Sequence, residues 1–416
     1  MARSSSPPDA MSGEAASGDT PSEDAPSEDT PFEDAGFEQD DDAEVVAPTV
    51  VAVVVTNDPG PWLEEALAAL VAQDYPHLSL LVIDTGETDV TPRVAATAPN
   101  AYVRRVAGRP GYAAAANEVL GVVEGASHYV FCHDDAAPDR DAVRLLLEEA
   151  FRSNAAVVGP KLVDWDDPTR LRQVGLSADK GGVVTSTVEP GELDQEQHDA
   201  VRDVFAIPGG LTLVRADLFT TIGGFDPAMR LIGEDLDLCW RAQIAGGRVL
   251  VAPAARVRHI EALSSGLRPG QDPDAPRLAL RPLETRHRIR AVLKNYGWFH
   301  LVRVVPQLLV LSAVEAIYLT LVGRRKAAAT IARAWTTNLR GLGELRAARR
   351  QVRGYRVWPD SEVRRLQARG NARVTRFLRG QLGRSDRARL IGDRTFSSTW
   401  RPARLPLAVW GAIVLV

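Results

Sequence analysis

From Thr49 onward, short unbroken apolar runs alternate with segments in which apolar residues recur every three or four positions. VVAVVVT runs into NDPGP, and a brief β-branched run stopped by turn residues predicts a buried parallel strand. Pro61 to Gln73 carries Leu63, Leu67 and Leu70 on one face and predicts a helix. LSLLVID predicts a second strand ending at Asp84, AYVRRVA a third, residues 112–124 an Ala-rich helix and HYVFCH a fourth strand. Further on, AAVVGPKLV reads as a strand and turn, and PGGLTLVRADLFTTIGGFD as a strand followed by a helix closed by glycines. GEDLDLCWRAQIAGGRVLVAP predicts a helix with Leu236, Cys239 and Trp240 facing inward and Glu234 and Asp235 in its first turn. Strands alternating with helices imply βαβ units and a mostly parallel sheet, whose ligands bind beyond the carboxyl ends of the strands. Asn57, Asp84, Asp134 and Asp135 all fall at such ends, so separate stretches of sequence converge on one rim.

After Pro269 the pattern changes. Residues 298–323 are long and apolar but hold Arg303, Pro306 and Glu315, too polar for a comfortable membrane span, and read as an interfacial amphipathic helix pair. The closing LPLAVWGAIVLV, residues 405–416, is shorter than the roughly 20 residues a bilayer needs and reads as a transmembrane helix cut off mid-span. At 416 residues, 45% hydrophobic and 25% charged, the chain can bury a large core. Cys132 and Cys239 stand in apolar surroundings without metal-ligand spacing, which suits a reducing compartment and no disulfide framework. No basic-then-apolar signal pattern opens the chain, so the body is expected to stay in the cytosol.

Charge divides the chain into blocks that its net charge of -5 conceals. Residues 1–44 carry fourteen acids and one base, 45–274 thirty-three acids and nineteen bases, and 275–404 seven acids and twenty-nine bases. The first block, with its repeated PSEDAPSEDTPFEDAGFEQDDD, is too poor in apolar residues to offset the entropy of ordering, so 1–47 reads as a disordered acidic tail. A basic third block fits either nucleic acid or an anionic membrane surface. The membrane accounts for the arginines and for the apolar helices beside them, whereas DNA accounts only for the arginines. The expectation is therefore the cytoplasmic face of the cell membrane, with no nucleic-acid partner.

The chemistry concentrates in FCHDDAAPD, Phe131 to Asp139. Unpaired neighbouring carboxylates repel, so this stretch is either a solvated loop or a place that collects a cation. Four motifs in order, VVVTND, VIDTGETD, HDDAAPD and GGFDPAMRLIGEDLDLCWRAQIAGG, resemble the inverting glycosyltransferases of family 2, with the GT-A fold, over about residues 49–265. RHRIRAVLKN, residues 286–295, is similar to the arginine-rich helix that follows the catalytic domain in bacterial cell-envelope rhamnosyl- and galactofuranosyl-transferases.

That resemblance implies an α/β, Rossmann-like GT-A domain over 48–268, with a mostly parallel sheet flanked by helices. A basic, amphipathic helical, membrane-associated region follows over 269–400, and 401–416 opens the truncated span. The implied reaction moves a sugar from a nucleotide-diphosphate donor to a hydroxyl of a lipid-linked or polysaccharide acceptor of the cell envelope, with inversion. It needs neutralisation of the leaving diphosphate, a base for the hydroxyl, and both held in line. By resemblance Asp135 and His259 ligate Mg2+ or Mn2+. Thr56, Asn57, Asp84, Arg109, Asn117 and Asp134 line the donor site, Asp235 is the general base, and Glu234 is its paired acid. Taken singly, Asp84 has the alternative reading of a turn or helix-capping residue, His259 of a structural residue, and Glu234 and Asp235 of acids favoured by the helix dipole.

Two departures from the family pattern stand out: His133 occupies the place of an aspartate, and Thr85 and Glu87 replace a Ser- or Asn-rich loop. A zinc site on Cys132 and His133 is disfavoured, because consecutive strand residues point to opposite faces. Of the rival readings, a nucleotidyltransferase would need a glycine-rich phosphate loop with a basic residue after the first strand, where NDPGPWLEE is acidic. A non-catalytic membrane scaffold is favoured by the two departures and opposed by the intact Glu234–Asp235 pair.

Overall fold

The structure is a computed structural model that describes residues 47–268 and 276–368, which fall within one compact unit starting at Ala47. The predicted acidic tail, save its last residue, and the apolar run at 405–416 lie outside the described residues.

The strands are β1 (Val50–Thr56), β2 (Leu78–Asp84), β3 (Tyr102–Arg105), β4 (His128–His133), β5 (Ala136–Pro138) and β6 (Val157–Asp164). After these come β7 (Leu171–Gln173), β8 (Leu176–Ala178), β9 (Val184–Ser186), β10 (Arg202–Asp203), β11 (Leu211–Arg215) and β12 (Val249–His259). All but β8 and β9 join one sheet, whose main path runs β10-β12-β6-β11-β4-β1-β2-β3. The pairings β3-β2-β1-β4 and β6-β12 are parallel, while β11 lies antiparallel between β4 and β6. Six strands therefore share one direction, which makes the sheet mostly parallel as the sequence pattern predicts.

The register sets where chemistry collects. Thr56 pairs with Asp84, Val55 with His133, and His259 with Asp164, so these carboxyl ends form one rim. Because β11 runs the other way, its first residue pairs with Cys132 and delivers Gly209 and Gly210 to the same rim.

Alternating residues of β1 face opposite sides: Val50, Ala52 and Val54 enter one apolar cluster, Val51, Val53 and Val55 the other. Both faces are covered, which is why the strand reads as a continuous apolar run. On the first face lie α1 (Leu63–Val71), α2 (Thr91–Thr97) and α5 (Ala142–Arg152), through Leu63, Leu67, Val94 and Leu146. On the second lie α3 (Tyr112–Ala116), α4 (Val119–Val122), α6 (Ala216–Thr221) and α7 (Glu234–Ile244). The helix predicted over 112–124 is thus two short ones, broken where the Asn117 amide bonds the backbone of Phe225 rather than its own turn.

A short α8 (Ala262–Ser265) precedes α9 (Pro276–Asn295), α10 (Trp298–Leu321), α11 (Arg325–Arg340) and α12 (Leu342–Gly354). Helix α9 docks through a buried charge network. Asp226 of the GGFD motif accepts from Arg290 Nε at 2.9 Å and Lys294 Nζ at 2.6 Å. Lys294 also donates to Asp237 on α7 at 2.7 Å, and Asp237 accepts from Arg241 at 2.7 Å and Asn295 at 3.0 Å. Trp240 packs edge-on against both Phe205 and Tyr296, fixing α7 against the chain that leaves α9.

Two expectations change here. The basic block is not all held out for a partner, since Arg290 and Lys294 are spent inside, and Arg356 pairs with Asp360 at 2.9 Å. The helix pair expected over 298–323 is one helix, α10, long and apolar enough by length and composition to cross a membrane. The helix continues through Arg303 and Pro306, both on its exposed side, while Leu301, Val304, Leu308 and Leu311 form a buried seam.

Candidate active site

Asp134 and Asp135 follow β4 directly, at the rim, and both are buried. Their surroundings separate their roles. Asp134 accepts from the Thr56 hydroxyl at 2.9 Å and from Arg268 Nη1 at 3.1 Å, with Arg268 Nη2 on its other oxygen, so a bidentate guanidinium answers its charge. Burial pushes the Asp134 carboxyl up, with Arg268 acting against it. Arg268 also lies 5.8 Å over the Trp62 ring and 3.8 Å from Asp135 Oδ1.

Asp135 Oδ2 accepts from the Ala262 N–H at 2.7 Å, which leaves Oδ1 turned toward two imidazoles. His259 Nε2 is 3.3 Å and His133 Nδ1 3.9 Å from that oxygen, and the three ligand atoms all lie within 4.8 Å of one another. Asp135 Oδ1 and both ring nitrogens of His259 are buried without an aligned hydrogen-bond partner. Buried polar atoms ordinarily have partners, and Asp135 Oδ1 and one His259 nitrogen left open beside His133 are what a cation would satisfy. These residues fit a divalent metal, and they include His133, whose metal role the family pattern does not supply. Burial pushes His133 down to about 4, whereas at His259 the same effect is outweighed by Asp135, which holds its imidazole above the ordinary range.

Asp235 sits across Gly209 from this cluster. Its Oδ2 accepts from the Gly209 N–H at 2.9 Å, and a Cβ at Gly209 would stand 3.3 Å from that oxygen and only 2.7 Å from His133 Cε1. Any larger residue at 209 would have to push the His133 ring aside. His133, Asp235, Tyr112 and Gly210 line one small pocket together with Phe131, Phe225 and Cys239. Glu234, one residue earlier on α7, is buried with Oε2 unpartnered. Burial pushes Glu234 well above the usual carboxylate range and the Asp235 charge adds to it. Asp235 is also raised by burial, partly offset by backbone N–H groups, its own and that of Gly209. A carboxylate raised this way is a stronger base than one in water.

The remaining predicted residues divide. Asn57, exposed on the rim, donates to the Thr85 carbonyl at 2.9 Å and ties β1 to the loop after β2. Asp84, fully buried, accepts from the Gly86 N–H at 2.9 Å and faces Arg105 at 3.5 Å, so it shapes that same loop. Arg109, exposed and held at φ 48°, pairs with Glu87 at 2.7 Å beside Asp58 at 3.7 Å. Asn117 is not brought to the metal cluster: its amide donates to the Phe225 carbonyl and accepts from the Phe225 N–H, both at 2.8 Å. Sequence reasoning missed Arg268, Gly209 and Gly210. The PGG preceding an apolar run was a visible signal for the glycines, while no motif marked Arg268.

A family model described as glycosyltransferase like family 2 matches residues 47–270. An N-acetylglucosaminyl-diphospho-decaprenol L-rhamnosyltransferase of Mycobacterium tuberculosis is 31% identical over 239 residues, 52% of this chain and 78% of that protein. The succinoglycan biosynthesis protein ExoO of Rhizobium meliloti is 26% identical over 217 residues, 50% of this chain and 59% of its own. Among solved structures, a crystal structure of GalNAc-T7 with UDP, GalNAc and Mn2+ is 14% identical with a TM-score of 0.46, covering 59% of this chain and 48% of that one.

Proposed function

The chain belongs to glycosyltransferase-like family 2 and is an enzyme of that class, and on that premise we propose a single-displacement transfer assisted by a divalent metal. A sugar passes from a nucleotide-diphosphate donor to a hydroxyl of a lipid-linked acceptor, with inversion. The similar mycobacterial protein, named for a rhamnosyl transfer to a diphospho-decaprenol-linked sugar, supports that acceptor class.

The observation that carries the mechanism is the single pocket in which Asp235 and His133 face each other across Gly209. Asp235 takes the proton of the acceptor hydroxyl as the new carbon–oxygen bond forms at the anomeric carbon and the bond to the diphosphate breaks on the opposite side, which inverts the centre. The Gly209 N–H orients that carboxylate, and burial beside Glu234 raises its basicity. A metal held by His133, Asp135 and His259 would supply Lewis-acid neutralisation of the leaving diphosphate. Arg268, fixed beside it by Asp134, adds a protein-borne positive charge to the same side. Two imidazole donors and one carboxylate suit Mn2+ better than Mg2+, which prefers oxygen ligands.

The test is Asp235→Asn, assayed separately for donor binding by calorimetry and for transfer. Transfer should fall about 10²- to 10⁴-fold, the usual contribution of a general base, with the donor dissociation constant unchanged. Parallel loss of both would sink the assignment.

A further inference from the structure

Helix α10 is apolar on two opposite sides, and only one is covered. Leu301, Val304, Leu308 and Leu311 are buried, and Leu308 lies against the loop at Gly181, where an added Cβ would meet its Cδ2 at 2.9 Å. Projected at about 100° per residue, the opposite side carries Trp298, Phe299, Val302, Leu309, Ile317 and Leu321. Trp298 is 70% and Phe299 90% exposed, Ile317 60% and Leu321 73%. This uncovered stripe runs the length of a 24-residue helix, about 36 Å at about 1.5 Å per residue. Cations accompany it: Arg303 is exposed at its edge, and Arg324, Arg325 and Lys326 are exposed where it ends, against the single acid Glu315 within the helix.

We propose that α10 is an in-plane docking element, its uncovered stripe lying at the headgroup boundary of an anionic bilayer while its buried stripe stays on the catalytic domain. The charge pattern selects that occupant. Aromatic and aliphatic groups beside exposed cations match an interface where acyl chains and anionic headgroups meet. A second copy packed with its α10 parallel about a two-fold axis would bring the same cations together across the contact, an arrangement that repels. A span is opposed on both sides, because crossing the hydrocarbon would carry into lipid the exposed Arg303 and the polar loop at Asp179–Gly181 packed against the buried seam. The inference concerns how the domain is held and does not depend on which sugar or acceptor it uses.

Both native cysteines are buried, so single introduced cysteines can be labelled selectively in the full chain. Val302→Cys, Leu309→Cys and Ile317→Cys, each at an exposed position, would carry an environment-sensitive fluorophore, with Phe151→Cys on α5 as the control. Far-UV circular dichroism confirms that each variant is folded. With phosphatidylcholine–phosphatidylglycerol vesicles, all three α10 labels should shift to the blue and be quenched alike by shallow nitroxide lipids, while the control stays aqueous. Pure phosphatidylcholine should give a weaker response. The proposal is overturned if the α10 labels stay in water, if their depth is graded along the helix as in a span, or if the control responds equally. Equal responses to both vesicle types would refute the anionic preference, and burial of the labels by self-association without vesicles would replace the bilayer with a second copy.

Discussion

Replacing Lys294 by methionine isolates what the basic helix α9 does for the site. Lys294 Nζ lies 2.6 Å from Asp226 and 2.7 Å from Asp237, with side chains 2%, 7% and 0% exposed respectively, so solvent screens little of the interaction. Methionine keeps most of the stem and removes only the charge and its donors. Hydrogen bonds to charged groups contribute about 1.5–3 kcal/mol each, so two represent about 3–6 kcal/mol before compensation. Two effects reduce that figure. Asp226 keeps Arg290 and Asp237 keeps Arg241 and Asn295, so neither carboxylate is stranded. The folded state also no longer dehydrates an ammonium, a cost visible in the way burial depresses the Lys294 pKa. A net loss of about 2–4 kcal/mol follows, near the range for breaking a buried ion pair. Urea unfolding should show it as a lower midpoint at unchanged slope. Arg333→Ala, at an exposed position on α11, should stay within about 0.5 kcal/mol of the parent. Because Asp237 follows Asp235 by two residues on α7, kcat should fall with the stability. If Lys294→Met and Arg333→Ala proved indistinguishable, the network would not be what seats α7.

Three further outcomes are expected. Gly209→Ala would force a Cβ to 2.7 Å from His133, so the purified, folded variant should lose transfer activity by at least about 10²-fold, the scale of a catalytic-group misplacement; near-parent activity would contradict the pocket geometry. His133→Asp should raise Mg2+ affinity relative to Mn2+, read by calorimetry and by the Mn2+ electron-paramagnetic signal, and an unchanged ratio would remove His133 from the ligand set. The base must be deprotonated to act and its folded-state pKa is raised, so kcat/KM should climb with pH on a limb above the ordinary carboxylate value of about 3.9, and a limb at or below it would refute the burial argument.

Much of the rim was legible because it depends on local pattern. The β1, β2 and β4 runs end where turn or acidic residues begin, and parallel pairing then places Thr56, Asp84 and His133 side by side. The direction of β11 was not legible, since LTLVR is an apolar run whichever way it points, and only its pairing with β4 and β6 brings Gly209 and Gly210 to the site. Likewise Asp226, Glu234, Asp235 and Asp237 look alike in the sequence. What separates two held down by cations from two raised by burial is α9, more than fifty residues further along. In α10, Arg303 and Pro306 counted as interruptions only until the packing showed that both lie off the buried seam.

Asp226 and Asp237 lie inside the stretch matched by the family model, whereas Arg290 and Lys294 lie beyond its end at residue 270. A catalytic segment transplanted without α9 would leave Asp226 with no cation and Asp237 with Arg241 alone, and α9 grafted elsewhere would carry the missing cations. Recombination and engineering therefore act on the two as a single cassette: chimeras joined after Asn295 keep both halves of the charge balance, and chimeras joined at the family boundary lose it.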